Sequence, residues 1–115
     1  MILRLIILTL LFQQNTKRVL TVYTPGINNA QYIKQMQLFN QDKPGMANRD
    51  LVIETHVYGS QTAALYKKNH VKNTFTVTLT GKDGGEKLRS NQPLTLQKLF
   101  AVIDTMPMRR QEMNP

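Results

Sequence analysis

The sequence predicts an α/β domain with a mixed four-stranded sheet and flanking helices, in the order β-α-β-α-β-β-α. Three observations lead to this prediction. Two β-rich runs are separated by a segment of helical periodicity, an alternating run is joined to a charged strand through a glycine-rich turn, and an amphipathic helix follows. Two strands joined through a helix are expected to be parallel, whereas a tight turn joins antiparallel strands, so the sheet should contain both arrangements.

The first strand and the first helix are predicted from the residues that follow position 17. Residues 18–23 form a β-rich run that is apolar enough to be buried on both faces, and Thr24-Pro25-Gly26 ends it with a turn. A helix is expected from about Asn28, an acceptable N-cap, to Asn40. Its buried face is predicted to carry residues at i, i+4 and i+7 spacing, with Ile33 beside them: Tyr32, Met36 and Phe39.

The middle of the chain supplies a second strand and a short helix. Gln41 to Gly45 is expected to end the first helix, and a loop is expected to run to Arg49. Residues 50–57 indicate the second strand. Ser60 is then predicted to cap a short helix whose last turn carries cations, which suit the negative end of the helix dipole: Lys67, Lys68 and His70.

The last third predicts a hairpin and a closing helix. Residues 75–80 alternate between apolar residues and Thr, as in a strand with one buried face. Asp83-Gly84-Gly85 offers the positive-φ positions of a tight turn, and residues 86–89 return as a charged edge strand. Thr95 is expected to cap a helix that Pro107 ends, leaving a basic tail. This order of elements is the core of a thioredoxin-like fold.

The first dozen residues are predicted to be a secretory signal. They carry one cation, Arg4, followed by an apolar run that is shorter than the ~20 residues of a membrane-spanning helix. No small-x-small cleavage pattern follows, and a buried strand or helix of the domain itself is the structural alternative. We therefore predict a signal peptide at residues 1–14 and one domain at residues 15–115, without a transmembrane span in the mature chain.

The hairpin and the C-terminal segment also resemble a known family. Residues 81–90, with the sequence GKDGGEKLRS, and residues 93–113 are similar to the DUF4174 family, and residues 17–25 resemble its first strand less specifically. This is a domain of unknown function in exported bacterial proteins, related to modules of animal sushi-repeat and coiled-coil-domain-containing matrix proteins. The resemblance implies a thioredoxin- or peroxiredoxin-like fold, a periplasmic or extracellular location and no established activity.

The residue types argue against catalysis. The chain has no cysteine, so the turn at residues 24–29, where redox proteins of this fold place their thiol, cannot do thiol chemistry. His56 and His70 are too few and too isolated for a metal site, which needs three or four ligands. Asp83 is interpreted as a turn residue. We therefore expect a protein that is not an enzyme and that uses no cofactor or metal.

Charge points to the class of partner. The net charge is +8, which favours anionic partners. The basic residues are scattered and lack interleaved aromatic residues, which argues against nucleic-acid binding. Arg89, Arg109 and Arg110 are candidates for an anion or partner contact, because guanidinium groups suit bidentate anions. Asp104 is alternatively expected to pair with Arg109 or Arg110 in a structural role.

The expected function is that of an exported, non-enzymatic binding or interaction module for a protein or an anionic envelope component. Two alternatives remain open from the sequence. One is a thioredoxin- or peroxiredoxin-related enzyme that acts with a thiol from a partner. The other is electrostatic adhesion to anionic envelope polymers or membrane surfaces.

Overall fold

A computed structural model describes residues 16–114, so the predicted signal peptide lies outside the described residues. The elements in chain order are β1 (Arg18–Thr24), α1 (Ala30–Phe39), a 3₁₀ turn (Asn40–Asp42), α2 (Lys43–Asn48), β2 (Leu51–Val57), α3 (Ala63–Lys68), β3 (Thr76–Thr80), β4 (Glu86–Ser90), α4 (Leu96–Asp104) and α5 (Pro107–Met113). The protein is thus a mixed α/β domain, as the sequence predicts.

The four strands form one sheet in the order β2-β1-β3-β4. β1 runs parallel to β2 and antiparallel to β3, and β3 is antiparallel to β4. β1 and β3 lie in the centre, which explains why their apolar side chains other than Val19 are almost completely buried. The main core lies on one face of the sheet and is built from these strands, α1 and α4, with the largest contributions from Leu20, Val22, Phe39, Phe75, Val77, Leu79, Leu94, Leu99 and Ile103.

The segment after α1 is helical, although the sequence predicts a loop there. Asp42 instead caps the short helix α2, because its carboxylate accepts a hydrogen bond from the Gly45 amide (2.9 Å). Pro44 falls in the first turn of α2, where a missing N–H costs nothing, so the residue that was expected to stop helix formation begins a new helix. The N-cap of α1 is Asn29 and not Asn28.

Two further predictions of helix ends are wrong. The N-cap of α3 is Thr62 and not Ser60, and the Thr62 hydroxyl bonds the carbonyl of Val57 (2.8 Å) instead of its own helix. The segment after Pro107, expected as a basic tail, is the helix α5, since Pro is well suited to the first helical turn. His70 lies beyond the end of α3 with a φ of 56°.

The second face of the sheet is more buried than the alternation of β3 predicts. Thr76 and Thr78 are both buried, although the pattern predicted only one buried face. The reason is a second small cluster of Tyr23, Tyr66 and Val71 on that side of the sheet. α3 supplies Tyr66, whose hydroxyl donates to the carbonyl of His56 (2.6 Å) and so anchors the helix to β2.

A buried amide fixes α1 to the loop before α4. Gln35 is completely buried, and its side chain bonds both backbone groups of Leu94: the amide nitrogen donates to the Leu94 carbonyl (3.0 Å), and the amide oxygen accepts from the Leu94 N–H (2.7 Å). This pair replaces backbone hydrogen bonds that the loop would otherwise lack. It therefore positions α4 against the core.

Candidate functional site

A cavity of about 310 Å³ lies where the β3–β4 turn meets the start of β1 and the junction of α4 and α5. We call it the hairpin cavity. It combines charged side chains from the hairpin and β1 with apolar and polar residues from the helix junction. Its lining residues are Arg18, Gly81, Lys82, Asp83, Lys87, Thr105, Met106, Pro107 and Met108.

The turn of the hairpin forms one wall. Gly84 has a φ of +85°, which an L side chain rarely adopts, so glycine is required there. The Asp83 carboxylate accepts from the Gly85 amide (2.9 Å) and from the Lys87 ammonium group (2.7 Å). Asp83 is therefore a turn residue, as predicted, and it also holds Lys87 at the cavity wall.

Two of the cations that line the cavity, Arg18 and Lys82, belong to a network of charges. The guanidinium group of Arg18 pairs with both carboxylate oxygens of Glu112 (3.2 and 3.1 Å). The ammonium group of Lys82 bonds Glu112 (2.8 Å) and Asp50 (2.7 Å). The network thus joins β1, the segment before β2, the hairpin and α5, which are far apart in the sequence.

Arg18 is the most unusual member of this network. Its side chain is 1% exposed, although arginine is almost never fully buried without partners. One terminal nitrogen also donates to the carbonyl of Arg49 (2.8 Å). Among residues 16–114, however, the Arg18 Nε has no hydrogen-bond partner although it is buried. A buried donor without an acceptor is costly. The Nε–H group of Arg18 is therefore free to donate a hydrogen bond to an acceptor.

The charges of the network shift its acid–base equilibria. Burial raises the pKa of Glu112, but hydrogen bonds from Arg18 and Lys82 outweigh it and bring that pKa down to about 2. The hydrogen bond from Lys82 lowers the pKa of the Asp50 carboxyl. Burial opposes the charge of Lys82, yet its two carboxylate partners raise its pKa overall. Glu112, Asp50 and Lys82 are therefore all charged at neutral pH.

A second network fastens α5 to α2. Asp104 accepts from Arg49 (3.0 and 2.8 Å) and from the Arg109 Nε (3.1 Å). Arg109 also bonds the backbone carbonyl of Asn48 (3.0 Å) and its side-chain oxygen. Arg49 lies over the ring of Phe100, with 3.8 Å between the guanidinium carbon and the ring centroid. The predicted pairing of Asp104 with Arg109 is thus confirmed.

The three arginines that the sequence indicated as an anion contact lie in separate environments. Arg109 is buried in the second network, whereas Arg110 is exposed on α5. Arg89 pairs with both oxygens of Glu86 and donates to the carbonyls at the end of α3. Arg89 also lines a second cavity of about 280 Å³ with His70, Val71, Lys72, Thr76 and Asn91. Binding of an anion by any of the three remains a prediction.

The turn after β1, where thioredoxin-like redox proteins carry their thiol, is held by its own hydrogen bonds. The Thr24 hydroxyl is buried and donates to the carbonyl of Gly26 (2.7 Å). His56 packs against the ring of Tyr23, with 5.7 Å between ring centroids. Among residues 16–114, no three His, Asp or Glu side chains are grouped as a metal ion would require.

The sequence did not reveal the hairpin cavity or the charge network that Arg18 and Lys82 form beside it. Lys82 and Glu112 are separated by 30 positions, and Arg18 and Glu112 by 94, so only the fold brings them together. One signal was available. Arg18 opens an otherwise apolar run that was predicted to be buried on both faces, and a charged residue in a buried strand requires a buried partner.

The fold and this geometry define the protein as a small mixed α/β domain with a charged cavity between its hairpin and its C-terminal helices. The domain of unknown function DUF4174 matches residues 9–112, and the chain belongs to that family. The match starts within the predicted signal segment.

The comparisons with other proteins add a likeness in fold. A solved structure described as that of a malarial protein is similar, with a TM-score of 0.62 and 13% sequence identity, over 77% of this chain and 96% of that chain. At this identity the likeness concerns the fold alone. No curated protein matches the chain. Within residues 16–114, none of the helices is long and apolar enough to cross a membrane.

Proposed function

We propose that this protein is an exported, thioredoxin-like binding module without enzymatic activity, and that it binds a small amphipathic anion in the hairpin cavity. The fold assignment is supported by the strand order β2-β1-β3-β4, with β1 parallel to β2 and antiparallel to β3. This is the arrangement expected for a thioredoxin-like core. The non-enzymatic role is supported by the absence of cysteine from the chain.

One observation supports the ligand class above all others: Arg18 lines the cavity, and within residues 16–114 its buried Nε donor has no hydrogen-bond acceptor. Lys82 and Lys87 line the same cavity, so the lining carries three cations and one carboxylate, Asp83. A carboxylate or phosphate group suits these donors. Met106, Pro107 and Met108 line the cavity from the helix junction and suit a short apolar chain, and the volume lies at the lower end for small-molecule sites.

The existing ion pairs set the expected affinity. Arg18 and Lys82 are already neutralised by Glu112 and Asp50, so an entering anion gains little net charge attraction from them. The pair between Lys87 and Asp83 is different, because it is largely exposed. Such a pair contributes about 0–1 kcal/mol, so Lys87 can turn towards an anion at low cost. We therefore expect weak binding that depends on Lys87.

The methionines of the chain provide a direct test. In a full-length sample with ¹³C-labelled methionine methyl groups, titration with octanoate should shift the signals of Met106 and Met108. The signal of Met46, which is buried in the main core, should not move. Octanol, which has the same tail without the charge, should bind more weakly.

A matched pair of variants tests the role of the cations. Lys87→Gln should weaken octanoate binding about 3- to 10-fold, as expected for the loss of one exposed charge contact of ~1 kcal/mol. Lys98→Gln removes the same charge from α4 and should leave binding unchanged. The proposal would be refuted by octanoate shifts at Met46 as large as those at Met106 and Met108, or by equal effects of the two variants.

Electrostatic adhesion to anionic surfaces is the second candidate, supported by the net charge of +8. It differs from cavity binding in its response to salt. Adhesion through scattered surface charges should disappear at moderate ionic strength, where the Debye length falls below about 10 Å. Co-sedimentation with anionic vesicles over a range of salt, with Lys87→Gln and Lys98→Gln giving equal losses, would support adhesion over cavity binding.

A further inference from the structure

β2 is an edge strand with an apolar character that the opposite edge of the sheet lacks. Four of the seven large hydrophobic side chains that are exposed among residues 16–114 lie on β2 or directly after it: Val52, Ile53 and Val57 (each 38% exposed) and Tyr58 (41%). β4, the other edge, carries Glu86, Lys87 and Arg89. Charged residues of this kind protect an edge from pairing with other chains, and β2 has only Glu54 and His56.

The hydrogen bonds to β1 show which backbone groups of β2 remain available. The Tyr58 amide donates to the carbonyl of Thr24 (2.9 Å), and the carbonyl of Asp50 accepts from the Arg18 amide (2.8 Å). Backbone groups alternate sides along a strand, so the even-numbered residues of β2 face β1. The amides and carbonyls of Leu51, Ile53, Thr55 and Val57 therefore point away from the sheet.

We propose that β2 pairs with β2 of a second copy of this chain, antiparallel and centred on Thr55. In this register the two Thr55 residues face each other and exchange their outward amide and carbonyl groups. Ile53 then lies opposite Val57 of the second copy, and Val52 lies opposite its Tyr58. All four exposed apolar side chains are thus paired with one another, and two four-stranded sheets join into one of eight strands.

The pairing of Glu54 with His56 selects this register. Centring on Thr55 places Glu54 opposite His56 of the second copy, on both sides of the twofold axis. Glu54 and His56 already lie on the same face of β2, with 3.8 Å between carboxylate and imidazole. Each of the two carboxylates would therefore have one imidazole beside it on its own strand and a second one opposite it on the other copy. Moving the centre by two residues would place Glu54 opposite Val52 or Ser60, and that pairing would be lost.

The expected dimer is weak. The Val57 carbonyl already accepts a hydrogen bond from the Thr62 hydroxyl, so it must offer its second lone pair to the new strand. A single pair of edge strands buries less than the ~1,600 Å² of a standard interface, and both copies are strongly basic. We therefore expect association that depends on protein concentration and that strengthens with salt, since salt screens the repulsion between the copies.

The lack of cysteine makes the register directly testable, since any introduced thiol is the only one in the full-length chain. Thr55→Cys should form a disulfide-linked dimer under mild oxidation, because directly opposed residues have Cα atoms ~5.5 Å apart, within the range that disulfides span. Ile53→Cys and Val57→Cys should each stay monomeric when oxidised alone, because their equivalent Cα atoms are about 14 Å apart in this register. An equimolar mixture of the two should form the mixed dimer.

A pair of lysine variants tests the association without a crosslink. In sedimentation of the full-length chain, Ile53→Lys should reduce dimer formation at least about 10-fold, because it places two cations in the paired edge. Ile27→Lys, at a 65% exposed position in the turn after β1 and outside the proposed strand pairing, should not reduce it. The proposal would be overturned by a wild-type chain that stays monomeric at its highest soluble concentration. Equal oxidation of Thr55→Cys and Ile53→Cys would overturn it as well.

Discussion

Replacement of Arg109 by Ala is expected to destabilise the fold strongly. The Arg109 side chain is 6% exposed and joins Asp104, at the end of α4, to the carbonyl and side chain of Asn48, at the end of α2. Alanine would leave the Asn48 carbonyl without this donor and would remove one of the two cations that hold Asp104. The interaction therefore fixes α5 to the rest of the domain.

The size of the effect follows from what remains after the substitution. Removal of one partner of a buried ion pair costs roughly 3–5 kcal/mol. Asp104 is 32% exposed and keeps Arg49, so the loss should lie below that range, at about 2–3 kcal/mol. For a domain of this size such a loss corresponds to a fall in Tm of roughly 10–20 °C. Arg109→Lys should recover only part of it, because an ammonium group cannot form the planar fork.

Arg110→Ala is the matched control. Arg110 is the neighbouring arginine of α5, and it is exposed, so its loss should change stability by no more than ~0.5 kcal/mol. Thermal unfolding followed by circular dichroism would measure both variants. Octanoate binding at low temperature should be unchanged in each, because neither residue lines the hairpin cavity. Equal Tm values for the two variants, or loss of anion binding at unchanged Tm, would refute the structural role of Arg109.

Three further predictions concern other contacts. The folded pKa of Glu112, about 2, lies below its usual 4.5, so its stabilising contribution is complete above pH 4.5 and is lost as the pH falls towards 2. Urea titrations at several pH values measure the loss in the free energy of unfolding as the pH falls from 7 to 2. In Glu112→Gln this loss should be roughly 2–3 kcal/mol smaller than in the wild type. An equal loss in the two proteins would contradict this role of Glu112. Gln35→Leu should cost about 2–4 kcal/mol in the same assay, because it leaves both backbone groups of Leu94 unpaired; a cost below ~1 kcal/mol would show that water replaces the amide. Gly84→Ala should cost about 1–2 kcal/mol because φ is +85° there. Gly26→Ala is the control: the added methyl group meets nothing within 4 Å at either position, but Gly26 lacks the positive φ, so its replacement should cost less.

The fold was predictable because local patterns report directly on strands and helices. The apolar run that begins at Arg18 predicted the central strand β1, and the alternation that ends at Thr80 predicted β3. The turn at Asp83 to Gly85 predicted the hairpin, and Thr95 was correctly predicted to cap α4, since its hydroxyl accepts from the Lys98 amide. The predicted helix ends before Pro44 and Pro107 are confirmed, since α1 ends at Phe39 and α4 at Asp104. The sequence did not predict that a new helix starts with each of these prolines in its first turn.

The candidate site was much less predictable. The chemistry of the guanidinium group predicted an anion contact at Arg89, Arg109 and Arg110. In the structure Arg89 and Arg109 have separate partners, and Arg110 is exposed. Lys82, which lines the cavity, and its partner Glu112 had no local signal, because each looks like an ordinary charged surface residue.

The sequence by itself determined the order of the four strands, the lack of cysteine and the strongly basic character, since each depends on composition or on neighbours along the chain. Only the tertiary structure decided that Arg18 is buried against Glu112, that the hairpin encloses a cavity with the helix junction, and that β2 keeps an apolar edge. The physical reason is that ion pairs, cavities and free strand edges depend on distances between residues that are remote in sequence, and no local pattern encodes those distances.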